Sequence, residues 1–172
     1  MLSQTLTKAI SEQVNAEYYS AYLYLAMSAA CDRMGFKGFA NWMHVQAQEE
    51  MAHGTHMFEH LLDRGAAPAF GDIKAPPSEY SDLREIFEKT LAHEEMVTGL
   101  INKLASLAMQ ENDHATYNFL QWYINEQVEE ESTASLILQK LNFIGDNASM
   151  LYALDTEMAA RTFVDPFAAQ GA

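Results

Sequence analysis

The chain has 172 residues, a single cysteine at Cys31, and 24 acidic against 10 basic side chains, giving a formal net charge of −14. That length suits one domain whose core needs no disulfides, and the lone cysteine excludes a disulfide framework, a zinc ribbon, an all-cysteine iron–sulfur cluster and a CxxCH haem attachment. The charge argues against nucleic acid and for cations as partners; no stretch approaches the roughly 18 uninterrupted apolar residues of a spanning helix, and MLSQTLTKAISEQV has no secretory pattern, so a protein of the reducing cytoplasm with no membrane partner is expected.

A first helix is predicted over about 3–33, because Leu6, Ile10, Val14, Glu17, Ala21, Tyr24 and Ser28 recur at three- and four-residue spacing. Gly35 breaks it. A second helix over about 37–64 carries the stripe Phe39, Met43, Gln46, Glu50, His53, Met57 and Leu61. From Gly65 to Ser81 the segment GAAPAFGDIKAPPSEYS is too rich in proline and glycine for a long helix. The second helix would be roughly 42 Å long, and about 17 extended residues reach roughly 56 Å. The connector can therefore run back along the whole bundle and leave the second and third helices parallel, as in a crossover bundle.

The third helix, about 82–110, aligns Leu83, Phe87, Leu91, Glu94, Thr98, Ile101, Leu104 and Ala108. The fourth, about 114–143, aligns Tyr117, Leu120, Ile124, Gln127, Glu130, Ala134, Ile137 and Leu141. A short fifth helix is predicted over about 148–161 after Gly145, followed by a loose tail over 162–172. The expectation is a single all-α domain over 1–172, a four-helix bundle with a long crossover and a short C-terminal helix.

Glu17, Glu50, Glu94 and Glu130 each interrupt the apolar stripe of a different helix. Burying an unpaired carboxylate costs several kcal/mol, and four converging would repel one another. Either they are protonated, in a purely structural or partner-binding bundle, or a cation sits between them; no Lys or Arg shares their stripes. Two divalent ions would balance four carboxylates, and oxygen donors with the one imidazole of His53 suit iron or manganese. Glu50 and His53 lie one turn apart, as do Gln127 and Glu130.

A Glu on one helix followed by an E-x-x-H-like pair on the next, given twice, is the pattern of ferritin-like di-metal bundles. Through NAEYYSAYLYLAMSA, HVQAQEEMAH and NFLQWYINEQVEEE the chain resembles bacterial non-haem ferritins over essentially its whole length. The resemblance implies an iron-storage homo-oligomer, a hollow shell of twenty-four copies. It would oxidise Fe(II) with dioxygen or hydrogen peroxide, a ferroxidase activity, and store ferric mineral. It also implies that Glu17, Glu50 and His53 hold one iron and that Glu50, Glu94 and Glu130 hold a second, with Glu50 bridging and Gln127 beside the second iron.

The resemblance further places a third iron at Glu49, Glu126, Glu129 and Glu130, whereas the residues alone fit a solvated acidic face equally well. At Tyr24 it implies a hydrogen bond to a ligand or electron donation; a core tyrosine with a satisfied hydroxyl is the other reading. Met51 matches the haem-binding Met of bacterioferritins, but Gln127-x-x-Glu130 is the non-haem pattern, so haem is not expected. His44, His56, His60, His93 and His114 have no counterpart in the motif. The acidic three-fold pore of animal ferritins is not matched either, because Tyr117 and Leu120 stand there, with Asp113 close by. A rubrerythrin-like peroxidase or oxygenase is the competing di-iron reading, although no rubredoxin-like CxxC pair is present to deliver electrons.

Overall fold

The computed structural model describes residues 1–168, and among them there are five helices and no strand. They are α1 (Gln4–Arg33), α2 (Lys37–Asp63), α3 (Leu83–Gln110), α4 (His114–Ile144) and α5 (Ala148–Met158). Four of them start on a side-chain cap that accepts an otherwise free backbone N–H: Ser3 from Leu6, Asp82 from Glu85, Asp113 from Thr116 and Asn147 from Met150. α2 instead follows a tight reversal in which Gly35 takes φ +90° and the Phe36 N–H returns 3.0 Å to the Cys31 carbonyl. Asn112, at φ 56°, makes the same kind of reversal between α3 and α4 with a residue type that tolerates the left-handed region.

The connector's own hydrogen bonds fix the topology. Ala69 N–H donates to Ser11 Oγ (3.2 Å) and Gly71 N–H to Asn15 Oδ1 (3.1 Å), near the start of α1. Further on, Arg33, at the end of α1, donates to the Ser78 carbonyl (2.6 Å). The segment thus travels from the start of α1 to its end, the reverse of α2, and delivers α3 parallel to α2. A two-pronged ion pair from Arg64 to Asp113 (2.7 and 3.0 Å) ties the end of α2 to the start of α4.

Two apolar clusters fill the bundle. One gathers Met27, Phe39, Met43, Phe87 and Leu141; the other gathers Leu6, Ile10, Met57, Ile101 and Leu120. Between them runs a buried polar layer to which all four long helices contribute, containing Glu17, Glu50, His53, Glu94, Gln127 and Glu130. The buried faces of α3 and α4 differ slightly from the expected stripes: Leu91 and Ile124 are half-buried, while Thr90 and Tyr123 are fully enclosed. Tyr123 earns its place by donating to the His53 carbonyl at 2.9 Å.

α5 ends at Met158 rather than near 161, because the next residues are drawn onto α2: Asn41 Nδ2 donates to the carbonyls of Ala159 (3.4 Å) and Arg161 (2.9 Å). α5 itself lies so close to α2 that a Cβ on Gly38 would meet the Asp155 carbonyl oxygen at 1.6 Å. The tail expected over 162–172 reaches beyond the described residues at 169–172, and its described part is not loose. Phe167 stacks on His56 with ring centroids 3.7 Å apart and meets Trp122 edge-on at 4.5 Å.

Candidate metal centre

α1 and α2 are antiparallel neighbours, and their helical periods bring Glu17, Glu50 and His53 together, with one potential ligand atom from each lying within 4.8 Å of the others. All three are buried. His53 Nδ1 faces Glu50 Oε2 at 3.5 Å, whereas Nε2 is the buried side-chain polar atom left without a hydrogen-bond partner among the described residues. An orphaned imidazole nitrogen beside two carboxylates is costly in a protein that binds nothing there.

α3 and α4 supply Glu94, Gln127 and Glu130, also buried, on the other side of the layer. Tyr24 donates its hydroxyl to Glu94 Oε1, and Gln127 Nε2 donates to Glu94 Oε2 at 3.1 Å. Gln46 Nε2 sits between the two sides, 2.8 Å from Glu130 Oε2 and 3.4 Å from Glu50 Oε1. Gln13 plays the corresponding part on α1, donating to Glu17 Oε1 at 2.8 Å. Each glutamine precedes a buried glutamate by four residues, which is one helical turn. That spacing was visible in the sequence as the only sign of these two donors.

Burial, reinforced by the neighbouring Glu50, pushes the Glu17 carboxyl up to about 8. Burial and Glu130 likewise push Glu94 up to about 8. Glu50 is raised well above the usual carboxylate range, first by burial and then by Glu94 and Glu130. No described ion pair of a Lys or Arg includes any of these four carboxylates. Protein charges therefore do not neutralise the layer, and protons or metal ions must. Oxygen donors with a single imidazole and no thiolate fit iron as the cation, since hard carboxylates favour Fe(III).

The second acidic group is distributed differently. Glu49 is partly buried and ion-paired to Arg161, Glu126 is half-buried, and Glu129 is exposed. Burial raises the carboxyls of Glu49 and Glu126, and Arg161 opposes the rise at Glu49. The sequence places Arg161 at the end of the predicted fifth helix, about 148–161, and offers no partner for it; α5 ends at Met158, and the chain beyond it carries Arg161 to Glu49.

Of the unmatched histidines, His93 is buried, bonded to Ser20 Oγ at 2.8 Å, and held neutral by burial, its pKa lowered to about 4. His56 and His60 pack on Phe167 and Phe119, while His44 and His114 are exposed. Leu120, at a position that is acidic in animal ferritin pores, is wholly enclosed in the core. Asp113 is committed to capping α4 and pairing with Arg64, which holds its carboxyl well below the usual range.

Residues 7–144 match the ferritin-like domain family. The chain belongs to the ferritin-like family. Among its ferritin relatives, a bacterial non-haem ferritin of Staphylococcus epidermidis is 44% identical over 163 residues, covering 95% of this chain and 98% of that one. A probable bacterial non-haem ferritin-like protein of Haemophilus influenzae is 43% identical over 158 residues, 92% of this chain and 96% of that one. In fold the chain is similar to the Archaeoglobus fulgidus ferritin engineered into a closed form, with TM-score 0.94 and 47% identity over 95% of this chain and all (100%) of the other. The open-pore ferritin of the same archaeon gives TM-score 0.92 and 46% identity over 94% of this chain and 98% of that one. The all-α crossover bundle with a short fifth helix is thus the ferritin-like fold, and no described helix is long and apolar enough to cross a membrane.

Proposed function

We propose that this chain is an iron-storage ferritin subunit that oxidises Fe(II) at a two-iron centre within its own bundle. The observation that carries this reading is the buried Glu17–Glu50–His53 group, whose Glu50 lies near enough to Glu94 and Glu130 for their charges to raise it, with no Lys or Arg ion pair to these carboxylates among the described residues. Fe(II) is the substrate. Glu17, Glu50 and His53 hold one ion; Glu50, Glu94 and Glu130 hold the other, with Gln127 beside it, and Glu50 spans both.

Binding displaces the protons that burial keeps on Glu17, Glu50 and Glu94, so two positive charges per iron enter a layer that repels its own anions. Each Fe(II) then gives up one electron. Dioxygen or hydrogen peroxide takes up the pair, with protons, and leaves as peroxide or water respectively. The buried carboxylates keep a cationic partner until Fe(III) moves on, and the acidic group at Glu49, Glu126, Glu129 and Glu130 is the third site through which it moves. A cytoplasmic shell of twenty-four copies, with the mineral inside, completes the reading.

The test is anaerobic Fe(II) titration of the purified protein, with anomalous diffraction at the iron edge on soaked crystals. Two tightly bound ions per chain on the six named residues are expected, followed by a looser third. Absence of bound iron at Glu50 would remove the proposal. Particle size by light scattering tests the shell, since a dimer would scatter far less.

A further inference from the structure

Arg161 stands just past α5 and reaches into the acidic group that the preceding reading assigns to a third iron. Its Nη2 donates to Glu49 Oε2; Nη1 donates to Gln46 Oε1 at 2.8 Å and lies 3.5 Å from the Trp42 carbonyl. The guanidinium carbon sits 4.3 Å above the Trp42 ring. This is a built position rather than a surface side chain lying over an acid. The backbone of Arg161 is held by Asn41, and α5 is fixed by the Asp155 carboxylate, which accepts the Phe39 N–H at 2.9 Å. Side-chain exposure is only 23% for Arg161 and 18% for Glu49, so the pair is shielded enough for its charge-assisted bond to count.

We infer that Arg161 is a resident cation of the Glu49 group, which iron displaces in order to bind there. A guanidinium and a divalent metal cannot both take the same carboxylate oxygen at bonding distance without strong repulsion. Filling the third site through Glu49 Oε2, the oxygen that Arg161 holds, therefore requires the Arg161–Glu49 pair to open. The opening has a second consequence, because the other prong of Arg161 fixes the Gln46 amide with its oxygen outward and its nitrogen toward Glu130 and Glu50. Release of Arg161 frees Gln46 to turn. Occupation of the third site is thereby linked to the hydrogen bond that steadies Glu130, a carboxylate common to both groups.

This inference rests on the third-site reading, and the experiment separates the two. Fe(II) is titrated anaerobically into the assembled protein, following the first two equivalents and the third separately. Arg161→Gln is expected to tighten the third equivalent about tenfold, the worth of one charge-assisted bond, while leaving the first two within about twofold. Arg161→Lys keeps a cation and should stay near the parent value. Asn41→Ala, which loosens the arm while retaining Arg161, should tighten the third equivalent in the same direction and serves if Arg161→Gln does not fold. In a Glu49→Gln background, Arg161→Gln should have no further effect. An unchanged or weaker third equivalent in Arg161→Gln overturns the displacement, and so does equal tightening in the Glu49→Gln background. If neither protein binds a third equivalent although the first two remain tight, the third-site reading fails and takes this inference with it. Weakening of the first two alone would make Arg161 a positioning residue of the two-iron centre, contrary to the inference.

Discussion

The two helical hairpins contribute unlike halves to one polar layer. The α1–α2 half gathers Glu17, Glu50 and His53 closely, yet gives them little hydrogen bonding beyond Gln13 and a long contact from Gln46, and leaves His53 Nε2 unpaired. The α3–α4 half has Glu94 and Glu130 supplied with donors from Tyr24, Gln127 and Gln46. A carboxylate already satisfied by amide and hydroxyl donors gains less from a metal than one that is not. On the proposed two-iron reading the first half would depend more on iron, and with an imidazole among its donors it should hold iron more tightly. The second half can persist in the metal-free protein and release its ion more readily.

The severest challenge to this division is removal of the residue shared by both halves. Glu50→Ala should slow aerobic Fe(II) oxidation by about 100-fold or more, read by stopped-flow absorbance, with helical content and particle size unchanged. Retained fast oxidation would mean that the halves do not act as one centre. Next in size, His53→Ala should weaken the tighter of the first two Fe(II) equivalents by about 10–100-fold, and Glu130→Ala should mainly affect the looser one. If these two outcomes are exchanged in anaerobic titrations, the assignment of tight and loose halves is reversed.

A smaller effect is expected in thermal melting of the metal-free protein. Glu17 and Glu94 have folded pKa values of about 8, above the ordinary carboxyl value of 4.5. The unfolded chain therefore binds fewer protons than the native one between these values, and stability falls as pH rises. The contribution is fully present below pH about 4.5 and is lost through pH about 8, so Tm should drop by several degrees across that window. Glu17→Gln should flatten the slope, and a parent Tm that rises over the same interval would contradict the protonated layer. Iron reverses the sign, because its binding expels those protons and tightens with pH. Smallest of all, Tyr24→Phe removes one donor from Glu94 and should cost about 1 kcal/mol of stability by denaturant unfolding, with oxidation slowed only a few-fold. A loss of oxidation comparable to that in Glu50→Ala would instead give the phenol a direct part in electron transfer.

Much of this arrangement can be read from spacing. The 3.6-residue period places Glu17, Glu50, Glu94 and Glu130 inward, and they are buried; Gly65 to Ser81 reads as a crossover, and its hydrogen bonds to Ser11, Asn15 and Arg33 run that way. Periodicity reports the face of a helix but not what meets that face from elsewhere. Gln46 therefore looked like an ordinary stripe residue, although it donates to carboxylates on two different helices. Arg161 closes the predicted fifth helix and Phe167 lies in the predicted tail, and their partners on α2 and α4 follow only from how α5 docks. Leu120 shows the opposite limit: alignment with a pore position says nothing of burial, and the side chain is part of the core.

The crossover gives the connector a separability that a continuous bundle core would lack. The proposed α1–α2 ligands all precede it, the proposed α3–α4 ligands all follow it, and the segment between them is largely exposed from residue 69 to 79. Chain continuity there serves to hold two hairpins at high effective concentration, and the buried layer with its two apolar clusters does the joining. Severed within that segment, the molecule would become a two-piece complex in which iron, if bridged by Glu50 to Glu94 and Glu130 as proposed, would act as the rivet between fragments.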